Sequence, residues 1–66
     1  MRYEFLLAVR LSQTARAAFP ELSAHHGPCG GTALWGPVED RTHLAEMLAR
    51  FAVLGFSVVE LRQLPD

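Results

Sequence analysis

Residues 40–56 form the longest stretch of this chain in which apolar side chains follow a helical period. These side chains recur three and four positions apart, the spacing that places them on one face of an α-helix. They are Leu44, Met47, Leu48, Phe51, Ala52 and Leu54. Glu46 and Arg50 fall on the other side, in the favourable order for an ion pair between residues four apart. We therefore expect an amphipathic helix that packs on a core along one side.

Both ends of this helix carry sequence signals. Asp40 can act as the N-cap, because its side chain can accept a hydrogen bond from a free backbone N–H of the first turn. Gly55 tolerates the left-handed conformation that is usual just past a helix, and this would bring Phe56 close to Phe51. We expect the helix to stop there and to be followed directly by another element.

That element, residues 57–64, alternates with the two-residue period of a strand. Val59 and Leu61 point one way, and Glu60 and Arg62 point the other. We therefore expect a half-buried strand with its charged side chains on the side away from the core.

Residues 2–11 show the clearest alternation in the chain and also predict a strand. One face carries Tyr3, Phe5, Leu7, Val9 and Leu11. On the second face, Leu6 and Ala8 form an apolar middle between Glu4 and Arg10. A strand with one solvated face does not need apolar residues there, so this second face is of functional interest.

The chain between these two strands adds three shorter elements. Residues 12–18 predict a short helix, which Pro20 ends because it forces extended geometry on the residue before it. Residues 21–26 alternate as a short strand. Residues 27–31, GPCGG, are rich in turn formers and lead into residues 32–36, a short run that favours a strand. We expect these two strands to form a hairpin.

The resulting order is strand, short helix, strand, strand, long helix, strand. This is the ferredoxin-like (βαββαβ) order of an α+β protein, here with a reduced first helix. In that topology the first and third strands are central, and the right-handed crossover rule places the last strand beside the first. We expect one compact domain over residues 1–66, with helices on one face of a four-stranded, mostly antiparallel sheet. A core this thin would gain buried area from oligomerisation.

The face of that sheet without helices is predicted to carry Leu6, Ala8, Trp35 and Val58. Trp35 falls there because its neighbour Leu34 should point to the core. Four apolar side chains on one face, including the single tryptophan of the sequence, indicate an interface. We expect a homodimer, or a contact with another protein, through this face.

The sequence HHGPC suggests metal ligands at first sight, but its geometry argues against a site. His25 and His26 are adjacent in a strand and should point to opposite faces. The remaining pair, His26 and Cys29, falls short of the three or four ligands that zinc requires, and His43 lies at the far end of the next strand. We expect no metal site and no cofactor, although a site shared between two chains stays open.

No catalytic residues are predicted. Cys29 could be a nucleophile, but no motif places a base beside it. The acidic side chains fall on polar faces or at element ends, where solvation explains them. The glycine-rich segments lack the strand, loop and helix arrangement of a phosphate-binding loop.

Charge and hydropathy narrow the class of partner. The net charge is −1 and the six basic residues are scattered arginines, so nothing indicates nucleic acid or an anionic membrane. No apolar run approaches the ~18 residues of a membrane span, and the N-terminus lacks a secretory cleavage pattern. The single cysteine cannot form an internal disulfide. We therefore expect a cytoplasmic protein.

The segments LSQTARAAFPEL and GTALWGPVEDRTHLAEMLARFAVLGFSVVELRQLPD resemble a group of small, uncharacterised single-domain proteins of high-GC actinobacteria. The resemblance covers nearly the whole chain, and FPEL, LWGPVED and RQLPD are its most recognisable pieces. It implies a compact domain in a bacterial cytosol, and no activity, cofactor or site residue.

Two functional classes follow. The first is a small non-enzymatic interaction or accessory module that self-associates or docks a partner through its exposed sheet face. The second is a small-molecule-binding or enzymatic ferredoxin-like homodimer with a pocket near the sheet, lined by groups such as Tyr3, His26 and Trp35. The second class depends on fold analogy, which does not by itself indicate function.

Overall fold

The computed structural model describes residues 1–27 and 30–65. Its elements follow the expected order, which confirms an α+β protein with four strands and two helices. They are β1 (Arg2–Leu7), α1 (Gln13–Arg16), β2 (Ser23–His26), β3 (Thr32–Pro37), α2 (Arg41–Val53) and β4 (Val58–Leu64).

The four strands form one sheet in the order β2-β3-β1-β4. All three neighbouring pairs are antiparallel. The expectation that the first and third strands are central, with the last beside the first, is confirmed. The hairpin between β2 and β3 is confirmed as well, and the Gly27 N–H donates to the Gly31 carbonyl at 2.9 Å. The predicted turn positions Pro28 and Cys29 lie outside the described residues.

The core lies between one face of the sheet and the helices. Phe5 of β1 is paired with Leu34 of β3, and both pack against Met47 and Phe51 of α2. The Phe51 ring lies 5.3 Å from the Phe5 ring and stacks on Phe19 at 4.1 Å between centroids. The buried hydrophobic side chains of the described residues are Phe5, Leu7, Leu11, Phe19, Leu34, Val38, Met47 and Phe51.

The predicted ends of the long helix are confirmed. The Asp40 carboxylate accepts a hydrogen bond from the His43 backbone N–H at 2.8 Å, which makes Asp40 the N-cap. Gly55 has a φ of 84°, in the left-handed region. The Phe56 N–H then donates to the Phe51 carbonyl at 2.9 Å, so the free carbonyl at the helix end has a partner. No described helix is long and apolar enough to cross a membrane.

β1 is shorter than the alternation of residues 2–11 predicts, because the chain leaves the sheet after Leu7. Thr32 binds the backbone of the segment that follows Leu7. The Thr32 hydroxyl donates to the Val9 carbonyl at 2.8 Å and accepts from the Leu11 N–H at 3.1 Å. Leu11 is buried, whereas Val9 is 48% exposed. The prediction that Val9 and Leu11 lie on the same face is therefore wrong.

A bulge in β4 changes the side to which its first residue points. Leu6 is paired with Glu60, but Leu7 is paired with Val58, so Val59 is passed over. Val58 therefore shares the core side with Leu7 and packs against the core, and its expected place on the uncovered face is wrong. Ala8 lies beyond the end of β1 and is exposed, so it also is not part of the sheet face.

Candidate functional site

The side of the sheet opposite the core is the candidate site, and we call it the open face. Both helices contribute to the core on the other side. The strand pairing places eleven residues on the open face. They are Arg2, Glu4, Leu6, Ser23, His25, Ala33, Trp35, Pro37, Glu60, Arg62 and Leu64.

The middle of the open face is apolar. Leu6 of β1 and Ala33 of β3 are directly opposite each other, and Trp35 follows Ala33 on the same side of its strand. All three are half-buried. We call these three residues the apolar centre.

Shallow depressions flank the small side chain of Ala33. One has a volume of about 320 Å³ and lies between Trp35, His25 and Leu64. The other has a volume of about 260 Å³ and extends from Leu6 toward the β2–β3 turn. Ala33 lines both depressions, so it is the low point of the apolar centre, between the larger side chains of Leu6 and Trp35.

The side of the open face formed by β1 and β4 is charged. Arg62 donates two hydrogen bonds to one Glu4 oxygen, from Nη2 at 2.6 Å and from Nε at 3.1 Å. Glu60 lies 3.7 Å from Arg62 Nε. The pKa of Arg62 is raised above its ordinary value. The hydrogen bond to Glu4 is the largest cause, and the negative charges of Glu4 and Glu60 add to it. Arg62 is therefore a fixed positive charge between two carboxylates.

A family model described as Domain of unknown function (DUF8691) matches residues 2–62. The chain belongs to this family. No curated protein matches the chain, and no solved structure matches it either. The DUF8691 match includes the apolar centre and the Glu4–Arg62 pair, and it ends before Leu64.

Two of the four predicted interface residues lie on the open face, and two do not. Leu6 and Trp35 lie on the open face as expected, whereas Ala8 and Val58 do not. Sequence reasoning missed Ala33, although the alternation that placed Trp35 outward also placed Ala33 two residues before it. The open face of the DUF8691 domain thus has an apolar middle, but Leu6, Ala33 and Trp35 form it instead of the four predicted residues.

The histidines do not converge on a metal site. His25 lies on the open face and His26 on the core side, as expected for adjacent strand residues. His26 Nε2 lies 3.2 Å from the Leu11 carbonyl and donates to it, and His43 Nδ1 accepts from the Glu39 N–H at 3.0 Å. Across residues 1–27 and 30–65, no group of three or more His, Cys, Asp or Glu side chains could hold a metal ion. The predicted candidate Cys29 lies outside the described residues.

The pocket expected for a small molecule is not formed by the residues we predicted. Tyr3 packs against the core and His26 points to the same side of the sheet. Trp35 points to the open face, so these three side chains do not line one cavity.

Proposed function

We propose that the protein is a small non-enzymatic interaction module that self-associates through its open face, with a second copy of the chain as its partner. The apolar centre is the observation that supports this most. Leu6, Ala33 and Trp35 are half-buried within the single chain, and neither helix covers them. An uncovered apolar patch with a tryptophan in its middle is typical of a protein contact.

The charges around the apolar centre favour a second copy over a strongly charged partner. Arg2 and Arg62 are offset by Glu4 and Glu60, so the formal charges of this face sum to zero apart from His25. Two such faces meet without net repulsion. The Glu4–Arg62 pair is already made within one chain, so covering it leaves neither charge without its partner.

The architecture that we infer for the module is ferredoxin-like. The order of elements and the antiparallel sheet order β2-β3-β1-β4 support this assignment, with α1 reduced to four residues. A sheet of this kind with helices on one face leaves the other face free for a contact. We also propose a bacterial cytoplasmic setting, which the single cysteine and the sequence resemblance support.

The test is native mass measured over a range of protein concentrations, with Trp35 fluorescence followed in parallel. We expect the mass to rise with concentration and the Trp35 emission to shift to shorter wavelength as its ring is covered. Trp35→Glu should abolish the face contact and keep the helix content, because it places a charge in the middle of the contact. Val53→Glu is the matched control, since Val53 is 85% exposed on α2 and lies away from the open face.

Three results would contradict the proposal. A wild-type mass that stays that of one chain, with Trp35 emission unchanged at all concentrations, would show that the open face does not bind a second copy. Equal loss of association in Trp35→Glu and Val53→Glu would show that added charge, and not the position on the open face, is responsible. If the wild-type chain stays monomeric and binds a different protein through Trp35, that protein is the partner of the open face.

Small-molecule binding is the second candidate, and the depression beside Trp35 favours it. Its volume of about 320 Å³ falls at the lower end of the range for ligand pockets, about 300–1,000 Å³. Arg2, Glu4 and His25 supply polar groups at its margin. A saturable change in Trp35 fluorescence with a small ligand, at unchanged mass, would favour this candidate over self-association.

A further inference from the structure

The outer edge of β4 is a second surface that the proposed function does not use. β4 has seven residues and pairs with β1 along one edge only, as far as the described residues show. The edge strand at the other side of the sheet, β2, has four. A long free edge presents unpaired backbone N–H and C=O groups to which another strand can add.

The side chains of β4 do not block such an addition. Val59 is 63% exposed and Leu61 is 39% exposed, although Leu61 is paired with the fully buried Phe5. Lysine, a common protective residue on free edges, does not occur in the sequence, and Pro65 follows the last residue of the strand. The bulge at Val59 interrupts this edge, so its regular, open part is residues 60–64.

We propose that β4 pairs antiparallel with β4 of a second copy, about a twofold axis that passes beside Leu61. The register follows from the charges on the open-face side. With the axis at Leu61, Glu60 of each chain faces Arg62 of the other. With the axis at Glu60 or at Arg62, that residue faces its own copy, and like charges directly opposite each other destabilise a strand pair.

The same register also brings apolar side chains together on the core side. Leu61, which is paired with Phe5 and so lies on that side, faces Leu61 of the second copy. On the open-face side, Arg62 comes to lie between Glu4 of its own chain and Glu60 of the second copy. Among the described residues, Arg62 Nη1 donates no hydrogen bond, so it is free to bind the second carboxylate.

This contact does not depend on the proposed function, because the edge and the open face are different surfaces. The pairing joins two sheets into one of eight strands, with both apolar centres on the same side. If the open faces also associate, the two contacts together give an assembly of four chains.

Charge reversal tests the register. Glu60→Arg and Arg62→Glu each place like charges opposite each other twice, so each should weaken the edge contact by about tenfold or more. An equimolar mixture of the two variants should restore association, because every facing pair in the mixed dimer then has opposite charges. Circular dichroism checks that Arg62→Glu remains folded after losing its bond to Glu4.

A cysteine placed on the axis gives a second readout. In a Cys29→Ser background, Leu61→Cys should form a disulfide between chains with oxidised glutathione, because position 61 faces itself. Gln63→Cys should not, because it faces Val59 in this register. Crosslinking at position 63 in preference to 61, or no recovery of association in the mixture, would overturn the inference, as would a wild-type chain that stays monomeric.

The two proposals fail separately in these experiments. If Trp35→Glu leaves the crosslink at position 61 intact, the edge contact stands whether or not the open face associates. If no crosslink forms while Trp35→Glu still lowers the mass, the edge inference is wrong and the proposed function stands.

Discussion

At the scale of single residues, Thr32 and His26 determine where β1 ends. They are paired across the β2–β3 hairpin, and both bind the backbone of the segment that follows β1. Thr32 bonds to Val9 and Leu11, and His26 bonds to the Leu11 carbonyl. These contacts join residues 15–23 positions apart, so no local pattern could predict them. His26 therefore has a structural role in this fold.

We expect Thr32→Val to lower the free energy of unfolding by about 1–3 kcal/mol, because it leaves the buried Leu11 N–H without a partner while keeping the side-chain shape. The measurement is the urea midpoint at an unchanged slope. Thr42→Val is the control, since Thr42 is exposed on α2 and should change stability by less than about 0.5 kcal/mol. Equal midpoints for the two variants would contradict the role of the hydroxyl.

Arg50 makes contacts that the sequence around it does not predict. Its spacing from Glu46 predicts an ion pair along the helix. In the structure, Arg50 Nη1 instead donates to Glu21 at 2.6 Å and to the Ala18 carbonyl at 3.1 Å, and the guanidinium lies over the Phe19 ring. The side chain thus ties α2 to the segment after α1, which only the tertiary fold brings near.

At the scale of elements, the sequence predicts the helix ends better than the sides of the strands. Asp40 and Gly55 act within a few residues of themselves, so their signals are local and both are confirmed. Strict alternation fails in β4 because one bulge residue reverses the sides of every residue before it, which moves Val58 into the core. Alternation alone contains no signal for a bulge.

Gly36 is an element-scale case in which a close approach of backbone requires glycine. The sequence predicts a strand over residues 32–36, and β3 extends one residue further, to Pro37. A Cβ on Gly36 would lie 2.8 Å from the Glu21 carbonyl oxygen and 2.9 Å from a Leu22 methyl group. The segment before β2 therefore packs directly on β3 because position 36 has no side chain.

We expect Gly36→Ala to lower the free energy of unfolding by about 1–3 kcal/mol, because a backbone oxygen can move aside only if its whole segment shifts. Thermal unfolding followed by circular dichroism measures this. Gly27→Ala is the matched control: its Cβ would meet nothing nearer than 3.9 Å, and its φ is not in the left-handed region. A Gly36→Ala variant as stable as this control would show that the two segments do not pack as closely as described.

At the scale of the whole molecule, the order of elements and the central position of β1 and β3 could be predicted, because the helix and strand periods and the crossover rule determine them. The members of the open face could not be predicted completely. They depend on where β1 leaves the sheet and on the bulge in β4, and both follow from contacts distant in sequence. Leu6 and Trp35 were predictable because regular pairing surrounds them.

If the two proposed contacts form, association adds buried area to a small core and raises the stability of the chain. The chain has 66 residues, and Leu6, Leu61 and Trp35 remain partly exposed in one copy. Because the folded chain would associate and the unfolded chain would not, mass action makes the melting temperature rise with protein concentration. A tenfold increase stabilises a dimer by about 1.4 kcal/mol, or about 0.7 kcal/mol per chain, which corresponds to about 3–5 °C for a domain of this size.

We therefore expect the wild-type melting temperature to rise by about 3–5 °C per tenfold increase in concentration, and to stop rising once Trp35→Glu and Glu60→Arg are combined. Differential scanning calorimetry over a hundredfold range measures this, with Val53→Glu as the variant that should still show the rise. A wild-type melting temperature independent of concentration would mean that the single chain supplies all of its own stability. Neither the open face nor the β4 edge would then bind a second copy in the folded state.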